Sequence, residues 1–361
     1  MSWERRSSWD GSGDSVYADR TALWITIGDG PAMQIALTGD VMLGRLVDQY
    51  VIRNQSIGPD KIWSDVLPLM LKADRRLINL ECVISDRGRE WQPDSKAFHF
   101  RAHPRAIDFL RAAKIDCVTL ANNHVLDYGT DALIECLALL DRAGIKRTGA
   151  GASFMEALTP AILDLPQGRL GVVSLTDNEP EWEAGEKKPG IHYIAYDAKG
   201  IVEPYRSRLA QVLKQVRSQA DLVIISAHVG PNWGLPSAAM RALAYQVIDL
   251  GADLYWGHSN HTPQGIELYK DKAILYSTGD FIDDYAVDPA ERNDLSFLFI
   301  LELERGRIAR ILLYPVRIED LYVRLAKDQE VEFLNRTMQA KCKAFGTIME
   351  VEGQVGMITV K

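Results

Sequence analysis

The sequence predicts an α/β fold built on a largely parallel sheet. Short β-favouring runs alternate with stretches of helical spacing along most of the chain. The run 222–227 is almost continuously apolar, as expected of a strand buried on both faces. Strand after strand also stops at a ligand-type residue: Asp40, Asn79 and Glu81, Asn122 to His124, His228, then His258 and His261. In a parallel sheet the C-terminal strand ends lie on one rim, so such side chains converge there.

The chain opens with residues 1–32, mixed in Ser, Gly, Asp, Arg and Trp without steady periodicity, and read as an N-terminal arm or extension. Its run 22–27 has the composition of an edge strand or docking segment. The main domain is expected over 33–316. Its first strand, 34–38, ends at Gly39 and Asp40, and helices follow over 41–55 and 63–71. A strand over 76–81 leads into a polar stretch, 85–104, suited to a lid or one wall of a cleft. A helix over 104–113 carries Pro104 at its start, where a missing N–H matters least. The strand 116–121 precedes a helix over 130–143, stopped by Gly144. Strands follow at 146–149, 161–165 and 170–175, then an irregular charged loop over 179–190. A helix over 202–219, the strand 222–227, a helix over 237–250 and the strand 252–256 complete the alternating part. Hairpins are read around Lys270 and Asp271, and around Arg305 and Gly306. Residues 317–361 read as a C-terminal extension packed on the domain, helical over 326–345 with one or two strands over 347–360.

At 361 residues the chain buries a sizeable core, and 47% hydrophobic with 25% charged residues is globular composition. The net charge of −8 argues against general nucleic-acid binding. No apolar run is long enough for a membrane span, and nothing resembles a signal peptide. Cys82, Cys117, Cys136 and Cys342 form no CxxC pair, which points to reduced thiols and a cytoplasmic protein.

The strand-end residues carry the chemistry. Polar residues commonly follow strands, but that does not explain why four of the seven histidines, His124, His228, His258 and His261, stand at such ends. Carboxylate and amide oxygens mixed with imidazoles suit one or two divalent transition metals, Mn, Zn or Fe, better than Mg or Ca alone. Such ions activate water and clamp substrate oxygens. His124, next to the ligand-type Asn123, is free to act as acid or electrostatic partner. Arg101 suits an anionic substrate, although a surface ion pair is an equally good reading. Asp177 and Asn178 follow another strand on the same rim and read as hydrogen-bond support. Trp182, Trp233 and Tyr285 are read as pocket-lining or core residues, and His192 is given no role.

As an ordered set, Gly39-Asp40, Asn79-Leu80-Glu81, Asn122-Asn123-His124 with Asp127 and Gly129, His228, Gly257-His258-Ser259-Asn260-His261 and Thr278-Gly279-Asp280-Phe281 resemble the capsule-biosynthesis CapA family. That family is associated with poly-γ-glutamate synthesis and has the calcineurin-like metallophosphoesterase fold. The likeness runs from about Met33 to Pro315. It implies a four-layer α/β/β/α sandwich of two mixed β-sheets, with metal ligands Asp40, Glu81, Asn123, His228, His258 and His261 and with His124 assisting catalysis. Asn79, Asn122 and Asp127 fall in the supporting positions. The wider superfamily places a His two residues after the first Asp, where this chain has Met42, and an Asp where it has Glu81. Ser259 and Asn260 stand where the family commonly has His-Pro. One metal position is thus expected from Asn123, His228 and His258, and a thinner one from Asp40, Glu81 and His261.

The resulting expectation is a hydrolase that uses metal-activated water on a poly-γ-glutamate-type amide or a phosphate ester. A phosphomonoesterase or nucleotide phosphodiesterase of the same fold, and a non-catalytic accessory protein of capsule synthesis, are the alternatives. The partner is an anionic substrate, phosphate ester or glutamate-rich polymer.

Overall fold

A computed structural model of the protein describes residues 33–92 and 96–360. The arm over 1–32, with its run 22–27, lies outside the described residues.

Strands alternate with helices and gather into two main mixed sheets. The chain begins in the first sheet with β1 (Met33–Val41), β2 (Arg75–Leu80), β3 (Cys117–Thr119) and β4 (Lys146–Thr148), all parallel. It crosses to the second sheet for β5 (Ala161–Asp164), β6 (Arg169–Thr176), β7 (Leu222–His228), β8 (Leu254–His258), β9 (Ile266–Tyr269) and β10 (Lys272–Leu275). Within that sheet β6, β7, β8 and β10 run parallel, and β5 and β9 are antiparallel edges. The chain then returns to the first sheet. β11 (Asp280–Ile282) pairs parallel with the end of β1, and β12 (Leu295–Glu304) and β13 (Arg307–Glu319) extend the sheet antiparallel beyond β1.

Side-chain alternation makes the layers. Ile35, Leu37, Leu77 and Cys117 of the first sheet face Val172, Leu222, Ile224, Leu254 and Trp256 of the second, forming one inter-sheet core. The opposite parity, Ile78, Leu80 and Val118, packs on α1 (Ala106–Ala112) and α2 (Gly129–Ala143). On the other side, Val223, Ile225 and Ala227 pack on α3 (Tyr205–Arg217) and α4 (Ala238–Asp249). The result is the α/β/β/α sandwich.

Gly144 ends α2 in the left-handed conformation, and the Ser237 hydroxyl caps α4 by accepting from the Met240 amide at 3.2 Å. The C-terminal segment joins the same body. Strand β13 runs through the boundary expected at 316, and Tyr322–Leu325 and Val355–Thr359 pair with it. α5 (Gln329–Lys343) lays Val331, Leu334, Met338 and Cys342 onto the inter-sheet core. No helix among the described residues is long and apolar enough to cross a membrane.

Three local expectations are corrected. Residues 41–55 are not one helix: β1 continues to Val41, a single α-turn covers Arg45–Val47, and a π-helical turn covers Asp48–Ile52. A Cβ on Gly44 would lie 2.9 Å from the Arg101 amide nitrogen, so the chain must bend there. Residues 63–71 divide into a 3-10 turn over Lys61–Val66 and a short helix over Leu67–Met70. The loop 179–190 contains a 3-10 turn, Pro180–Trp182, and ends in a paired strand at Gly190.

His192 acquires a structural role. Its amide donates to Gly149 O at 2.8 Å and its Nδ1 donates to Ser174 O at 2.9 Å. Burial pushes its pKa down to about 4, the Ser174 contact opposing. The unfolded chain therefore binds this proton first. The stability His192 supports is complete above about pH 6.5 and is lost as pH falls towards 4, at roughly 1.4 kcal/mol per unit. Urea unfolding of His192→Asn should lose about 2 kcal/mol less between pH 7 and pH 5 than the wild type does. Equal losses in the two proteins would refute this assignment.

Candidate metal centre

The inter-sheet core changes character within one residue pair. Along the first sheet, Leu37 and Leu77 give way to Asp40 and Asn79, and register sets Asp280, Asp40, Asn79 and Thr119 in one row. Along the second sheet, Trp256 and Ile224 give way to His258 and His228, in register with Thr176. The rows face each other, and Ser226 Oγ donates to Thr119 Oγ1 across the gap at 3.1 Å. Two glycines let the strands close. A Cβ on Gly39 would sit 2.1 Å from Gly279 O, and one on Gly257 would sit 2.1 Å from Tyr276 O.

Asp40 is the centre of the first row and is buried. Asn79 Nδ2 donates to its Oδ1 at 2.8 Å and lies 3.2 Å from His228 Nδ1. His258 Nδ1 lies 2.7 Å from the same Oδ1, yet neither ring nitrogen of His258 has a hydrogen-bond partner. Burial alone would raise the Asp40 pKa; His258, then His228 and Asn79, bring it down to about 2. Glu81 accepts from the Tyr285 hydroxyl at 3.1 Å and lies 3.8 Å from His228 Nε2. Burial, joined by the charge of Asp40, pushes the Glu81 pKa up.

Asp40, Glu81 and His228 each offer a ligand atom, all within 4.8 Å of one another. This buried group could hold a metal ion. The polar atoms around it fit one: the His258 nitrogens, Asn123 Oδ1 and Asp280 Oδ2 are buried without partners, and such atoms ordinarily find them. His258 approaches Asp40, while His228 approaches both carboxylates. His261 Nδ1 donates to Asp280 Oδ1 at 3.0 Å, leaving Nε2 as its free nitrogen. Asp280, in sequence only part of the Thr278-Gly279-Asp280-Phe281 motif, is thus the neighbour of Asp40 and the partner of His261.

His124 sits beside this group. Its Nδ1 donates to Asp127 Oδ2 at 2.6 Å, and Asn123 Nδ2 donates to its Nε2 at 3.1 Å, a pattern that requires the neutral Nδ1–H tautomer. Burial, with Lys96 and His261 adding to it, pushes the His124 pKa down, and burial pushes Asp127 up to about 7. Phe100 stacks on the imidazole with centroids 3.8 Å apart, and its amide donates to Asp127 Oδ2 at 2.7 Å. Asn122 holds the turn by donating to Leu80 O at 2.9 Å and accepting from the His124 amide at 3.0 Å.

Glu81, Asn123, His124, His228 and His261 line a cavity of about 520 Å³, walled by Phe98, Trp233 and Tyr285 and by the cations Arg45 and Lys96. A larger cleft of about 1300 Å³ lies at the opposite strand ends, near Gly168, Leu222 and Asp253, and holds none of the strand-end ligands.

Two expectations fall outside the cavity wall. Arg101 stacks over Tyr128, 4.0 Å from the ring centre, and its Nη1 donates to Arg87 O at 3.3 Å. Asp177 and Asn178 support His228 from behind: the Gly230 amide donates to Asp177 Oδ1 at 3.2 Å, and Asn178 Nδ2 donates to His228 O at 3.2 Å. Trp182 lies buried beneath the Lys96 ammonium, 4.7 Å from its ring centre.

Facing sheets whose parallel strands deliver carboxylates and imidazoles to a shared rim define a protein of the metallophosphoesterase-like α/β/β/α class. Within that class the chain belongs to the family described as "Bacterial capsule synthesis protein PGA_cap", which matches residues 34–285. It is 31% identical, over 88% of its length and 93% of the relative's, to the "Probable polyglutamine synthesis accessory protein" of Mycobacterium tuberculosis. It is 27% identical to the "Capsule biosynthesis protein CapA" of Bacillus anthracis, over 70% of this chain and 60% of that one. The "PGA biosynthesis protein CapA" of Bacillus subtilis is 25% identical over 80% of this chain and 72% of its own.

Proposed function

We propose that this is a metal-dependent hydrolase of capsule-polymer synthesis, cleaving an amide of a γ-linked glutamate polymer. The observation that carries the reading is the buried Asp40, Glu81 and His228 group opening into a cavity beside a neutral His124. The family resemblance supplies the γ-glutamate polymer, and relatives are named for polyglutamine synthesis and for PGA biosynthesis. Asp40, Glu81, Asn123, His228, His258 and His261 would hold one or two ions of Mn, Zn or Fe. When bound, the metal supplies Lewis-acid polarisation and an activated water. The remaining chemistry belongs to the chain. Phe100 and Asp127 fix the His124 ring, whose unprotonated Nε2 takes a proton from the attacking water and passes it to the leaving amine. Four buried, unpaired cysteines support a reducing, cytoplasmic setting.

The test is to purify the protein without chelator, measure metal by element-specific emission, and offer a γ-glutamate oligomer and an aryl phosphate with Mn present. Bound transition metal and shortening of the oligomer are expected. Turnover of the aryl phosphate alone would make it a phosphoesterase instead. Finding no transition metal, either as purified or after reconstitution, would overturn the catalytic reading.

A further inference from the structure

We infer that Arg45 is the receptor for a substrate oxyanion, the free α-carboxylate beside the amide to be cleaved. The inference rests on the hydrolase reading above and adds a specificity-determining residue to it. The cavity wall carries two cations, and they are not equivalent. The Lys96 ammonium is fully committed: it donates to Asn123 O at 2.5 Å and Glu179 Oε1 at 2.8 Å, and pairs with Asp127 Oδ1 at 3.2 Å. Arg45 is held by one edge alone, its Nε lying 3.3 Å from Asp284 Oδ2. Among the described residues its two Nη groups meet no acceptor.

The residue is also held in place. Asp284 Oδ2 accepts from the Leu46 amide at 2.9 Å, so one carboxylate grips both the backbone turn and the guanidinium edge. The guanidinium carbon lies 5.4 Å from the Phe98 ring centre and 5.7 Å from that of Phe100. Arg45 adopts φ of 51°, the left-handed region that a side chain rarely occupies, and such conformations cluster at functional sites. A planar fork pinned on one edge and open on the other matches an oxyanion bidentately. Each unit of a γ-linked glutamate chain carries a free α-carboxylate two bonds from an amide nitrogen. An amide at the metal centre therefore always has a carboxylate close by.

The test compares wild type, Arg45→Lys and Arg45→Gln, all loaded with Mn. Equilibrium binding is measured for a γ-glutamate pentamer, for its α-amidated neutral analogue, and for 4-nitrophenyl phosphate. Arg45→Lys keeps the charge beside Asp284 but loses the fork. Both variants should bind the pentamer about 10- to 100-fold more weakly, the scale of a lost charge-assisted contact, with Mn content and melting temperature unchanged. The amidated analogue should bind all three proteins alike. Wild-type binding of the pentamer by both variants, or a loss that only follows Mn content or melting, would overturn the inference. If wild type takes only the phosphate and both variants weaken it, Arg45 stands as an oxyanion receptor and the polymer reading fails. Binding of neither probe by the wild type would overturn both.

Discussion

Asp40→Asn should lose its metal while keeping its fold. Asp40 stands at the crossing of the two rows, in register with Asp280 on one side and Asn79 on the other, with His258 Nδ1 2.7 Å from its Oδ1. An asparagine of the same shape still accepts from Asn79 Nδ2, so the strand pairing has no reason to change. What disappears is a carboxylate that stays ionised although buried, held down to about 2 by His258, His228 and Asn79 against the effect of burial. Loss of a group that merely orients a metal ligand typically costs about 10- to 100-fold in affinity, so loss of this shared anion should exceed about 100-fold. Emission analysis after dialysis against sub-stoichiometric Mn or Zn reads the result directly. A variant that melts like the wild type and still carries its full metal complement would show that Asp40 is not a ligand.

The sequence patterning reaches the sandwich and the strand-end residues for one physical reason. Strands buried on one or both faces must be apolar, so Leu222 to Ala227 and the runs before Asp40, Asn79 and His258 stand out, and so does the residue where each run stops. Loop geometry is less legible because it depends on distant contacts. The apolar spacing of Val47, Val51 and Ile52 reads as a continuous helix from 41, yet the approach of the Arg101 backbone to Gly44 breaks it, and the same bend turns Arg45 into the cavity wall. Arg101, which in sequence suits an anionic substrate and a surface ion pair equally well, stacks on Tyr128. Lys96 carries no local signal at all. Its place follows from the folding of 96–100 against Asp127 and Glu179, a contact spanning 83 residues in the latter case.

His124→Gln should leave metal binding and stability near wild type and lower kcat by about 10²- to 10⁴-fold, the usual contribution of a positioned general acid or base. The effect is expected in kcat because His124 lies beside the Asp40, Glu81 and His228 group and is not one of its members. Asp127→Asn tests the mechanism more sharply. The carboxylate accepts from Nδ1 and thereby leaves Nε2 as the basic atom, whereas an amide N–H turned to Nδ1 favours the opposite tautomer and occupies Nε2 with a proton. The ring would remain stacked on Phe100, 3.8 Å away, but could no longer accept a proton at the cavity side. Asp127→Asn should therefore fall in kcat nearly as far as His124→Gln, and the double variant should fall little further, because both changes remove one function. Additive losses would mean that Asp127 acts elsewhere, through Lys96 or the Phe100 amide. Full activity in both single variants would remove His124 from the chemistry.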